Sequence, residues 1–185
     1  MSLDHDPTAP FQVIASSESA RDHNLALRRD RVRWPDGQEA DFRVVQGPSA
    51  VFVVPFAQGG STVLVRQWRH TWEATSWEVP AGTLEPGEEP LACAQRELRE
   101  EAGLVAGEWT SLGATRGSAV LTGQQHLFLA RGLRRVQRTP EPYERDMILR
   151  EVPFRTALDA ALQGEIAHAA SISALARAAR VLGII

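Results

Sequence analysis

The chain has 185 residues, 43% of them hydrophobic and 23% charged, and a formal net charge of −3. That balance describes one soluble globular domain with a core of ordinary size, and it excludes the basic field that attracts nucleic acid or an anionic membrane. A single cysteine, Cys93, excludes an internal disulfide and fits a reducing cytoplasm.

Residues 1–20 carry no strong periodicity and are expected to be a flexible terminus. Residues 21–34 and 38–46 flank Pro35-Asp36-Gly37, a turn triplet, and predict a β-hairpin. The expected organisation is a flexible segment 1–20, a hairpin element 21–48 and a main domain 49–185. Residues 50–56 (AVFVVPF) are almost continuously apolar, the pattern of a strand buried on both faces. Residues 58–61 form a turn and residues 62–68 the next strand. Residues 77–81 lead into a glycine-containing loop. Pro90 suits a first helical turn and Gly103 a stop, so a helix is predicted from Pro90 to Ala102. Strands follow at 109–116 and 126–131, then a polar loop at 134–143 and a strand at 147–152. Residues 154–163 and 166–182 predict two closing helices. The order of strands, helix, strands and helices reads as an α/β fold, an α/β/α sandwich with a mixed sheet. No run approaches the length of a membrane span, and residues 1–10 do not resemble a signal peptide.

The segment 82–104 carries the chemistry. On the predicted helix Leu91, Ala94, Leu98 and Ala102 share one stripe, and Glu97, Glu100 and Glu101 share an adjoining arc roughly 100° wide. Three carboxylates on one arc repel each other unless something cationic neutralises them. Arg96, which faces back toward Glu88, answers part of that charge; a divalent cation answers the rest. All-oxygen ligation favours Mg²⁺ or Mn²⁺. His70, His126 and His168 are each isolated, and no paired spacing supports zinc.

Gly82, Glu88, Arg96-Glu97-Leu98, Glu100-Glu101 and Gly103-Leu104 fill every specified position of the GX5EX7REUXEEXGU pattern, where U is aliphatic, so the chain resembles the Nudix hydrolases. Residues 65–70 (VRQWRH), 77–82 (WEVPAG) and the tail from 146 onward are similar to the ADP-ribose pyrophosphatase branch, and the likeness covers most of residues 21–183. The resemblance implies metal-dependent hydrolysis of a nucleoside diphosphate linked to a second group, with ADP-ribose cut to AMP and ribose 5-phosphate as the leading expectation. GDP-mannose, NADH, a dinucleoside polyphosphate, or a non-enzymatic role in sensing nucleotide sugars remain as alternatives. It implies catalytic and metal roles for Glu97, Glu100 and Glu101, a metal contact from the backbone carbonyl of Ala81, and an ion pair of Glu88 with Arg96 that supports the loop. A general base is expected at Glu144, with Glu141 as the other candidate. Arg69 is the expected phosphate or ribose contact. Arg66 falls on the opposite face of the same strand, and Glu78 is expected to bind ribose or base. An aromatic from the hairpin, Trp34 or Phe42, is expected on the base. The resemblance also implies a homodimer built through the N-terminal sheet. One segment departs from the branch: residues 116–125 (RGSAVLTGQQ) lack the proline and the acidic residue usual there.

Overall fold

A computed structural model describes residues 7–139, 144 and 146–185. Two compact units are present, one made of residues 1–47 with Ser118–Thr122, the other of residues 48–117 and 123–185.

The first unit is a three-stranded antiparallel sheet in the order β1-β2-β3, with β1 at Gln12–Asp22, β2 at Leu25–Arg33 and β3 at Glu39–Gln46. The β2–β3 hairpin turns at Gly37, whose φ of 89° is open to glycine without strain. Asp36 Oδ1 accepts the Gln38 N–H at 3.0 Å and closes that turn. Across the hairpin Asp41 pairs with Arg29 and with Arg31, and Glu39 pairs with Arg33 at 2.6 Å. From Gln12 onward the segment expected to be flexible is a strand. Nearly every side chain of β1 is exposed, so the main-chain ladder to β2 holds it and no apolar alternation announces it. Ser118–Thr122, part of the segment that departs from the branch pattern, runs beside β3: Val45 N–H donates to Val120 O at 2.8 Å and Thr122 N–H to Val45 O at 3.1 Å.

The second unit contains seven strands and three helices among the described residues: β4 Ala50–Pro55, β5 Ser61–Arg69, β6 Ala74–Glu78, β7 Ala81–Thr83, α1 Pro90–Ala102, β8 Leu104–Arg116, β9 Gln124–Arg135, β10 Ile148–Pro153, α2 Phe154–Gln163 and α3 Ala169–Val181. One sheet has the order β7-β4-β9-β8, with β4 parallel to β9 and the other pairs antiparallel; the second is β10-β5-β6. The run 50–55 is buried on both faces because its side chains alternate between two helical layers. Val51 and Val53, with Phe128 and Ala130 of β9, meet Ala94 and Leu98 of α1. Phe52 and Val54, with Leu127 and Leu129, meet Phe154 and Leu158 of α2 and the alanines of α3. This is the α/β/α sandwich with a mixed sheet. Ala170, Ala174 and Ala178 are buried along one stripe of α3, where small side chains let the helix lie close to the sheet.

Pro90 starts α1, and Gly103 ends it with a φ of 62°, its N–H donating to Arg99 O at 3.0 Å. Among the described residues no helix is long and apolar enough to cross a membrane. Leu98, with no exposed surface, clamps α1 to the sheet. Leu98→Ala is expected to cost about 2–5 kcal/mol of unfolding free energy, read from the urea midpoint. A loss below about 1 kcal/mol contradicts this packing.

Candidate active site

The apolar stripe that seats α1 also decides where its acids go. With Ala94, Leu98 and Ala102 turned to the sheet, Glu97 and Glu101 flank them and are themselves buried. Glu144 arrives from the segment before β10, also buried. One carboxylate oxygen from each of Glu97, Glu101 and Glu144 lies within 4.8 Å of the other two. The expected base candidate Glu144 is therefore drawn into the acidic cluster itself. Glu141 lies outside the described residues. Glu100, expected to assist, is not in the cluster; its carboxylate accepts from Arg96 at 3.1 Å.

The loop before the helix is shaped around these acids. Ala81 N–H donates to Glu101 Oε2 at 2.8 Å. A Cβ on Gly82 would lie 1.9 Å from the Glu97 carboxyl, so only glycine lets the backbone run this close. Arg96 ties the loop to the helix: its Nε and Nη2 donate to the two oxygens of Glu88 at 3.0 Å, its Nη2 to Thr83 O at 3.2 Å, and its Nη1 to Glu97 at 2.7 Å. This is the ion pair of Glu88 and Arg96 in the expected place.

The electrostatics are lopsided. Burial pushes the Glu97 carboxyl up to about 7, only partly opposed by Arg96, and burial drives Glu101 well above its ordinary range. The charge of Glu144 raises both further. The protein gathers three acids with too little positive charge beside them to offset the burial of Glu97 and Glu101. A hard divalent cation fits this donor set: oxygens at ~2.1 Å from one Mg²⁺ lie up to ~4.2 Å apart, close to the span found here. Cys93 is buried next to the loop, and burial pushes its thiol up to about 12, so it is not a nucleophile.

An open cleft of about 350 Å³ adjoins the cluster, lined by Phe52, Arg69, Trp72, Ala81, Gly82 and His168 among others. Arg69 reaches it from the end of β5, and Arg66 lies instead over the Trp77 ring at 5.6 Å, as opposite faces of one strand require. Glu78 does not line the cleft as expected. It has no exposed surface, and both its oxygens accept from Arg69, at 2.8 and 2.5 Å, so it braces the arginine from behind. Trp34 sits in the first unit, its ring 5.3 Å from Phe11 and 6.5 Å from Phe42. Trp72 was not singled out by sequence reasoning, and His168 was read there as an isolated histidine. They stand almost a hundred residues apart in the chain and belong to no short motif; only the fold brings them together.

Arg96 holds the Glu88 carboxyl at about 2, below its ordinary 4.5. A folded-state value below the unfolded one means that the pair's contribution is complete above pH 4.5 and is lost as the pH falls toward 2. Glu88→Gln is expected to lower stability by about 1–2 kcal/mol at pH 7, with the difference from the parent narrowing as the pH falls below 4.5 toward 2. A pH-independent difference in urea midpoints contradicts the ion pair.

The NUDIX domain model matches residues 47–173. An ADP-ribose pyrophosphatase of Mycobacterium tuberculosis (strain ATCC 25618 / H37Rv) is 38% identical over 167 residues, covering 88% of this chain and 80% of its own. One from Bacillus subtilis (strain 168) is 34% identical over 149 residues, covering 80% of each. The crystal structure of an ADP compounds hydrolase superposes with a TM-score of 0.84 over 97% of both chains at 18% identity, a likeness of fold. With a family model across more than half its length, and with Glu97 and Glu101 of the pattern gathered with Glu144 at one buried acidic centre, the chain belongs to the Nudix family and is a Nudix hydrolase.

Proposed function

We propose that the enzyme hydrolyses ADP-ribose to AMP and ribose 5-phosphate, using Mg²⁺ (or Mn²⁺) held by Glu97, Glu101 and Glu144 with the backbone carbonyl of Ala81. The observation that carries this is the convergence of three buried carboxylates beside a cleft holding Arg69. The likeness in sequence to two ADP-ribose pyrophosphatases supports the substrate.

Cleavage of a diphosphate is limited by charge and positioning rather than by covalent chemistry. When bound, the cation neutralises phosphate charge and makes water a better nucleophile at neutral pH. The chain supplies the rest. Arg69, braced by buried Glu78, meets phosphate oxygen. Gly82 leaves the room that a side chain would take from Glu97. Glu88 and Arg96 keep the loop on the helix, with Arg96 also holding Glu100 out of the cluster. Glu144 joins the ligand set, which replaces the base role expected of it, on the strength of its carboxylate lying with those of Glu97 and Glu101. A cytoplasmic setting belongs to the same reading, since the one cysteine is buried as a thiol.

Incubation with Mg²⁺ and ADP-ribose is expected to yield AMP and ribose 5-phosphate in equal amounts, and EDTA to stop it. Glu101→Gln should lower kcat by at least about 10³-fold while the circular dichroism spectrum is kept. Silence on ADP-ribose with turnover of GDP-mannose, NADH or a diadenosine polyphosphate reassigns the substrate; full activity of Glu101→Gln ends the metal assignment.

Homodimerisation through the N-terminal sheet completes the proposal, supported by its exposed Val13, Leu25, Leu27 and Phe42. Sedimentation velocity is expected to give twice the chain mass, and Leu27→Asp to shift it toward the monomer. A monomer at micromolar concentration contradicts it.

A further inference from the structure

Behind the cleft wall runs a set of hydrogen bonds that phosphate chemistry alone does not use. Both Glu78 oxygens accept guanidinium N–H groups from Arg69, a bidentate pair. His168, the residue that caps the start of α3, places its Nδ1 3.3 Å from Glu78 Oε2 and 3.0 Å from Ser171 Oγ. Ser171 Oγ is itself held by the Val79 N–H at 3.1 Å. A lone pair on Nδ1 facing a carboxylate oxygen at that distance is repelled, whereas an N–H is attracted. The Glu78 contact favours the ring hydrogen on Nδ1, which leaves Nε2 as an acceptor.

The ring is held as firmly as its tautomer. Phe52 and Trp72 pack against it, with centroids 5.1 and 5.8 Å away. Its side chain is 16% exposed, and it lines the same cleft as Arg69, Ala81 and Gly82. Burial lowers the pKa of the imidazole, in keeping with a neutral ring. Among the described residues Nε2, on the ring edge away from Glu78, has no protein partner.

An acceptor in a phosphate-binding cleft cannot be meant for phosphate oxygens, which carry lone pairs of their own; it needs a donor. The two groups bonded directly to the diphosphate of ADP-ribose are both ribosyl, and each carries hydroxyls. We propose that Nε2 of His168 accepts a hydrogen bond from a hydroxyl of the second ribose, the one that leaves as ribose 5-phosphate, which makes His168 a residue that selects for a sugar in the released group. This rests on the substrate reading above and deepens it.

The direct test is a ¹⁵N–¹H correlation spectrum of the ¹⁵N-histidine-labelled protein with Mg²⁺, before and after adding the methylene-bridged, uncleavable analogue of ADP-ribose. The His168 signals are identified by their loss in His168→Phe. The expected free protein shows His168 with Nδ1 protonated and Nε2 unprotonated, and the analogue shifts Nε2 upfield. In parallel, His168→Phe keeps a ring against Phe52 and Trp72 but removes both nitrogens. It is expected to raise KM for ADP-ribose about tenfold or more, and KM for the methyl ester of ADP, which has no second sugar, no more than about twofold. Analogue binding with Nε2 protonated or unmoved overturns this inference alone, as does an equal rise in KM for both substrates, which is the mark of a brace behind Arg69. A wild-type protein that neither binds the analogue nor cleaves ADP-ribose overturns the substrate reading and this inference together.

Discussion

Everything in the catalytic unit is arranged around the cost of putting three carboxylates in one buried place. Ionised side by side they repel, and burial removes the water that would screen them. The protein meets only part of that cost from its own cations. Arg96 reaches Glu97, Glu100 and Glu88, and Arg69 is committed to Glu78. The Glu97 and Glu101 carboxyls are raised by burial because that part goes unmet. On the proposed reading a divalent ion removes that remainder, and the affinity for metal is then the counterpart of the instability of the cluster without it.

The architecture makes such a cluster tolerable. α1 lies on a sheet whose central strands are apolar on both faces, and its Ala94, Leu98 and Ala102 stripe fixes the helix before any charge is considered. Glu97 and Glu101 then have no freedom to turn to solvent. The loop that faces them is held by the bidentate pair of Arg96 with Glu88, and its closest approach occurs at the one residue, Gly82, with no side chain to clash. Hydrophobic packing sets the position, the ion pair sets the loop, and the acids are left gathered beside the cleft.

Much of this was legible in the chain. α1 begins and ends at the residues that Pro90 and Gly103 announce, because both signals are local backbone chemistry. The almost continuously apolar run at 50–56 declared burial on both faces, and the spacing of Glu97, Glu100 and Glu101 declared the acidic face, of which Glu97 and Glu101 join the cluster and Glu100 does not. What escaped has a common physical cause. β1 is held by main-chain bonds between exposed residues, which leave no periodic trace. Glu78 reads as a ligand contact from its neighbourhood in sequence, yet it is buried beneath the arginine it braces. His168 looks isolated because its partners Glu78, Phe52 and Trp72 come from strands and a turn far back in the chain. Glu144 was singled out, but no spacing rule could say that it would stand within reach of Glu97 and Glu101.

The central claim is that Glu97, Glu101 and Glu144 share one cation. Crystals grown with Mn²⁺ and measured at a wavelength where manganese scatters anomalously test it directly. The account predicts an anomalous peak between these three carboxylates, at ~2.1–2.3 Å from an oxygen of each, and its loss in Glu101→Gln. Saturating Mn²⁺ with no peak at that place, or a peak held by Glu97 and Glu100 with Glu144 turned away, contradicts it.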